Sequence, residues 1–199
     1  MSEVQPRSLV ALGQQFRVSA SSVGVSDADR CALAVGCCGA AYIGAQWLYY
    51  DLSPGACDLS LVEAGRCPLL IEHHAFVANM VGRVVAAEIA GGEMRALVEF
   101  GPGDEADRLL AYLRRGWPLS LSFGGSVRHS VPLDDAEDGT PRVMATSWQL
   151  REISVVVHGA DQAAYLRPLG EGENPAEMAD EVEAALAEHF DELERALAV

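Results

Sequence analysis

The sequence predicts an α+β, mainly β domain of mostly antiparallel strands with a few helices on its outside, followed by a C-terminal amphipathic helix. Three observations lead there. Short β-rich runs recur along most of the chain, separated by Gly, Pro and Asp signals. A stretch of helical periodicity closes on a glycine between two of those runs. The 199 residues, 50% hydrophobic and 22% charged, have the composition of one globular domain with a short appendage. At this length roughly 70% of the unfolded surface can be buried, so a core forms without a disulfide framework.

The β-rich runs are Phe16–Val18, Leu69–Glu72, Gly82–Glu88, Met94–Phe100, Leu119–Phe123, Arg142–Leu150 and Ile153–Val157. Over Asp104–Arg115, Ala106, Leu109, Leu110 and Leu113 fall on one helical face, and Gly116 is the expected C-terminal glycine. A second helix is expected around Ala40–Tyr50, and Asp134–Gly139 reads as an acidic loop. The run Gly170–Pro175 reads as a linker whose Asn174 caps a helix with Pro175 in its first turn. Beyond it Met178, Val182, Ala185, Leu186, His189, Phe190, Leu193 and Leu197 recur at three- and four-residue steps. The domain expectation is therefore a body over 1–170 and an acidic linker and helix over 171–199, the helix docking on its own domain or tethering a partner.

Charge narrows the function classes. The net charge is −15, and all 14 basic residues are Arg. Ten acidic residues against one basic give 171–199 a net −9, so the other 170 residues carry −6. Such a surface repels phosphate backbones and anionic lipid, so neither a nucleic-acid nor a membrane partner is expected. No apolar run approaches the ~20 residues of a membrane span, and the N-terminal MSEVQPRS lacks signal-peptide order, which predicts a cytosolic chain. An odd set of five cysteines (Cys31, Cys37, Cys38, Cys57, Cys67) fits reduced thiols. Zinc held by Cys57, Cys67 and His73 or His74 is the competing idea, disfavoured by the lack of any C-x-x-C pair, so no cofactor or metal is expected.

Two local features carry chemistry. An apolar strand, Pro68–Ile71, runs into Glu72 and paired histidines, His73 and His74. In Gly116-Trp-Pro-Leu-Ser120-Leu-Ser122-Phe-Gly124-Gly125 two hydroxyls lie two residues apart, on one side of a strand, and the glycines admit a substrate backbone. A serine hydroxyl is inert until a base removes its proton; histidine supplies that base near neutral pH, and a third group fixes its tautomer. Glu152, in an otherwise apolar strand, is costly unless it is paired with something such as imidazolium.

The order of these features resembles the prohead serine proteases of tailed phages, a family similar in fold to the herpesvirus assemblin proteases. The resemblance covers most of Phe16 to Arg167. It starts weakly at Ser26-Asp-Ala-Asp29-Arg30, improves at Leu69–His73 with Gly82-Arg83-Val84, and is strongest from Leu109 through Gly116, Ser122 and Gly124. It continues through Arg142-Val143 and Leu150-Arg-Glu152-Ile-Ser154-Val-Val to Gly159-Ala160-Asp161. It implies a small antiparallel β-barrel ringed by helices, with His73 as general base, Ser122 as nucleophile and Glu152 as orienting acid. His74, Ser120 and His158 are the alternatives for those three roles. Cys31-Ala-Leu-Ala replaces the Gly-Asp usual after Asp29-Arg30, and His74 stands where Asp or Asn is common.

The resemblance further implies an endopeptidase of capsid maturation, packaged inside the procapsid in the host cytoplasm. Its substrates would be the major capsid protein and scaffold segments, and itself. A homo-oligomer is left open. The alternative reading is a catalytically silent relative that acts in capsid assembly or scaffolding through its C-terminal helix.

Overall fold

The computed structural model describes residues 17–20, 27–37, 39–53, 55–90, 92–170 and 173–179. The strands are β1 (Arg17–Ala20), β2 (Cys31–Cys37), β3 (Ala40–Ile43), β4 (Gln46–Tyr50), β5 (Cys57–Asp58), β6 (Pro68–Ile71), β7 (Met80–Ala90), β8 (Glu93–Phe100), β9 (Ser120–Leu133), β10 (Arg142–Val156) and β11 (Tyr165–Pro168). Helices are sparse. Among the described residues, the α-helices bounded within the barrel sequence are α1 (Ser60–Glu63) and α2 (Asp104–Arg114), so the expected ring of helices reduces to little more than α2.

Seven strands close into a barrel in the order β6, β7, β8, β2, β11, β9, β10 and back to β6. Every contact around this ring is antiparallel except that between β10 and β6. The strand order ends at β1 and β3, which lie outside the ring. The β9–β10 hairpin is longer than the barrel needs, and the short strands β4, β5 and β6 pair in parallel along β10 in chain order. The acidic loop expected over Asp134–Gly139 is the turn of this hairpin, and Asp138 accepts the Thr140 N–H there at 2.9 Å.

The helix expected over Ala40–Tyr50 is instead the β3–β4 hairpin. Gly44 and Ala45, at φ 60° and 65°, form a two-residue turn with both central residues left-handed, which reverses the chain between Ile43 and Gln46. Aromatic and β-branched residues favour strands, and Tyr42 meets Trp47 edge-on across the pair at 5.3 Å. The helix over Asp104–Arg115 does form. It buries Ala106, Leu109, Leu110 and Leu113, and Gly116 at φ 72° follows its end. Arg30 secures its first turn, bonding Asp107 at 2.6 Å and the Phe100 carbonyl at 2.9 Å.

The barrel interior is filled by Trp148, Phe100, Leu59, Leu69, Met94, Leu121, Leu150 and Ile153, all fully buried. Trp148 packs 4.6 Å from Tyr50 and 5.3 Å from Phe123, and its indole N–H donates to the Asp51 carbonyl at 2.9 Å. Trp148→Ala is expected to cost about 3–5 kcal/mol, lowering Tm by roughly 10 °C or more, as a thermal melt would record.

Asn174 accepts the Ala176 N–H at 3.0 Å, as expected of the cap, and residues 175–179 are helical. Met178 and Ala179 pack outside the barrel on Cys31, Leu33, Val85, Ala86 and Leu97. Glu173 grips Arg167 of β11 through both carboxylate oxygens, at 2.6 and 2.7 Å. The start of the acidic segment is thus fastened to the barrel, while Val182 to Leu197 lie outside the described residues, as do Phe16, Ser26 and Cys38. No helix among the described residues is long and apolar enough to cross a membrane.

Candidate active site

One irregularity in β10 sets up the site. Along this strand Trp148 and Leu150 point into the core, and strict alternation would send Glu152 after them. The pairing instead steps from Leu150↔Gly125 to Glu152↔Gly124, which leaves Arg151 as an extra, exposed residue. This β-bulge reverses the phase. Beyond it Ile153 and Val155 face the core, so Glu152 and Ser154 share the opposite face. On β9 Leu121 and Phe123 face the core, so Ser122 and Gly124 also lie on that outer face, with Ser122 directly opposite Ser154.

His73 arrives from β6, which lies on the other side of β10. After Ile71 the chain turns through Glu72 and His73, both left-handed at φ 51° and 57°. Non-glycine residues held there cost of order 1–3 kcal/mol each, and persist where the surroundings over-determine them. Here they do. The Glu72 N–H donates to the Val155 carbonyl (3.0 Å), the His73 N–H to Ser154 Oγ (3.1 Å) and the His74 N–H to the Ile71 carbonyl (3.0 Å). The Glu72 carboxylate in turn accepts the Val157 N–H at 2.8 Å.

The turn delivers His73 Nδ1 to Glu152 Oε1 at 2.7 Å. The neutral ring then carries its proton at Nδ1 and keeps Nε2 as a base. The His73 side chain is 44% exposed and that of Glu152 only 12%, so the carboxylate is sheltered while the imidazole reaches solvent. The hydrogen bond to Glu152, reinforced by the charges of Glu152 and Glu72 and opposed by burial, raises the His73 pKa above its ordinary 6.5. The other oxygen, Glu152 Oε2, accepts the Ser154 hydroxyl at 2.6 Å.

Gly124 is required by this arrangement. A Cβ at that position would lie 2.3 Å from Glu152 Oε1. Because the obstructing atom is the far end of a side chain, Gly124→Ala is expected to fold while swinging the carboxylate off His73. The check is an imidazole titration by NMR, in which the His73 midpoint falls toward 6.5 with little change in Tm.

The structure therefore brings His73, Glu152 and the strand position of Ser122 to one face. The Ser122 hydroxyl makes no hydrogen bond to the imidazole here; in enzymes free of substrate that contact is commonly long and tightens on binding. Ser120 lies one step further along the same face, opposite Val156 and beside Tyr165 of β11. His74 and His158 are exposed, and neither bonds Glu152, whose oxygens are engaged by His73 and Ser154. Pairing of β9 with β11 stops at Ser120, and beyond it the segment before β11 flanks β9, the Leu121 N–H donating to the Ala164 carbonyl at 3.1 Å. A depression lined by Gly39, Ala41, Ala160, Asp161 and Ala164 borders Ser122.

The zinc alternative is not met. Cys57 and Cys67 are fully buried, whereas His73 and His74 stand on an exposed turn. Burial, aided by the nearby Glu152 charge, pushes the Cys67 thiol up to about 12. Among the described residues no three His, Cys, Asp or Glu side chains are grouped so that they could hold a metal ion.

Sequence reasoning assigned no role to Ser154, which is fully buried at the centre of these contacts. The signal was its spacing, two residues from Glu152 on one strand and so on the same face. No protein-family model, curated protein or solved structure matches the chain. The chain is thus a mainly β barrel in which a solvent-reaching histidine bonds a sheltered carboxylate on the face that carries a strand serine.

Proposed function

We propose that the chain is a serine endopeptidase of phage capsid maturation, with Ser122 as nucleophile, His73 as general base and Glu152 as the acid that orients it. The observation that carries this reading is the 2.7 Å contact between His73 Nδ1 and Glu152, on the face that also holds Ser122. Ser122 Oγ attacks the peptide carbonyl as its proton passes to His73 Nε2. That proton then goes to the leaving amine as the C–N bond breaks, and water repeats the sequence to release the acyl group. An extended chain would reach Ser122 from the outer face that it shares with Gly124 and Ser154. The capsid and scaffold substrates, the location inside a procapsid and self-trimming rest on the order of the sequence motifs.

Because only neutral His73 can accept the proton, cleavage is expected to rise with pH through a midpoint above 6.5, read from the rate against pH. The stability linkage runs the other way. Binding of the proton by the raised folded-state group stabilises the fold fully below 6.5, and this contribution is lost as pH rises through the folded-state pKa.

The experiment is mass spectrometry of the chain incubated alone and with casein as an unstructured substrate, wild type beside Ser122→Ala. Discrete fragments from the wild type only are the expected result. Identical spectra from both would favour the catalytically silent assembly component.

A further inference from the structure

We propose that Ser154 is a positioning residue whose buried hydroxyl ties the Glu152 carboxylate to the backbone of His73 and so holds the imidazole toward Ser122. The inference rests on the serine-protease reading of His73, Ser122 and Glu152. Ser154 is 0% exposed, and a hydroxyl has one proton to give and two lone pairs to receive with. The proton goes to Glu152 Oε2 at 2.6 Å, and a lone pair takes the His73 N–H at 3.1 Å, so both contacts are made at once.

Two constraints follow from that arrangement. The carboxylate is divided, Oε1 to the ring and Oε2 to Ser154, so it cannot rotate without giving up both bonds. The left-handed His73 backbone, at φ 57°, is fastened to the same oxygen that fastens Glu152, so base and orienting acid move as one unit. Ser154 also stands directly across the strand pair from Ser122, which sets that unit in register with the nucleophile. Alanine would orphan the His73 N–H and free the carboxylate to turn. The charged groups facing His73 are Glu152 from β10 and Glu72 in its own turn.

The test compares the full chain as wild type, Ser154→Ala and Ser154→Thr by the rate of labelling with a fluorophosphonate across pH, with NMR titration of the His73 imidazole and a thermal melt alongside. Ser154→Ala is expected to label about 100-fold more slowly, the scale of a small misplacement of reacting groups. Its His73 midpoint should fall toward 6.5, and Ser154→Thr, which keeps the hydroxyl, should retain the wild-type midpoint. A lowered Tm in Ser154→Ala with rate and midpoint unchanged would make Ser154 merely structural and overturn the proposal. If the wild type takes no label, the protease reading fails, and the NMR titration alone decides the link between Ser154 and the His73–Glu152 pair: a falling midpoint supports it and an unchanged one overturns it.

Discussion

Ser122→Ala is expected to abolish proteolysis, a loss of ~10⁴ to 10⁶ in kcat, while Ser120→Ala leaves most of it. Both hydroxyls lie on the outer face of β9, so the difference comes from what stands across the strand pair. Ser122 is opposite Ser154 and one step from Gly124, over which the Glu152 carboxylate lies. Ser120 faces the apolar Val156 and is flanked by β11. Steady-state rates on one peptide substrate for the two variants measure the contrast. Equal losses would mean that the nucleophile has been placed wrongly along this strand.

On the proposed reading, Glu152→Gln should cripple cleavage without unfolding the chain, with a loss of up to ~10⁴. The amide keeps the volume that Gly124 makes room for and still accepts a bond from Ser154, but it carries no charge to stabilise an imidazolium. If its NH₂ faces His73, it also forces the proton onto the wrong ring nitrogen. The His73 midpoint should fall with the loss of its principal partner. Circular dichroism beside the rate separates a chemical defect from a folding one. Surviving activity would shift attention to His158, which is exposed on the loop after β10.

The parts legible in the sequence were those governed by local pattern. The apolar stripe of α2 and its closing Gly116, the alternating strands around Ser122, and the odd carboxylate at Glu152 each carry their signal within a few residues. Other parts depend on distant partners. β2 reads as a run of small residues and becomes a strand through β8 and β11, and β11 is four residues ending in Pro168. The β3–β4 hairpin misled because its alanines favour a helix, while the outcome turned on two left-handed residues at Gly44 and Ala45. The bulge at Arg151 is likewise invisible in the pattern, yet it decides that Glu152 faces His73 and not Trp148. For the same reason Ser154 read as one more residue in an apolar strand.

On the proposed reading a single serine on this barrel is activated by His73. A fluorophosphonate reacts irreversibly with an activated serine and leaves an unactivated hydroxyl untouched. Intact mass and peptide mapping of the treated chain should find one adduct, on Ser122, absent from Ser122→Ala and strongly reduced in His73→Ala. An unmodified wild-type chain, or an adduct that persists in Ser122→Ala, would contradict the account.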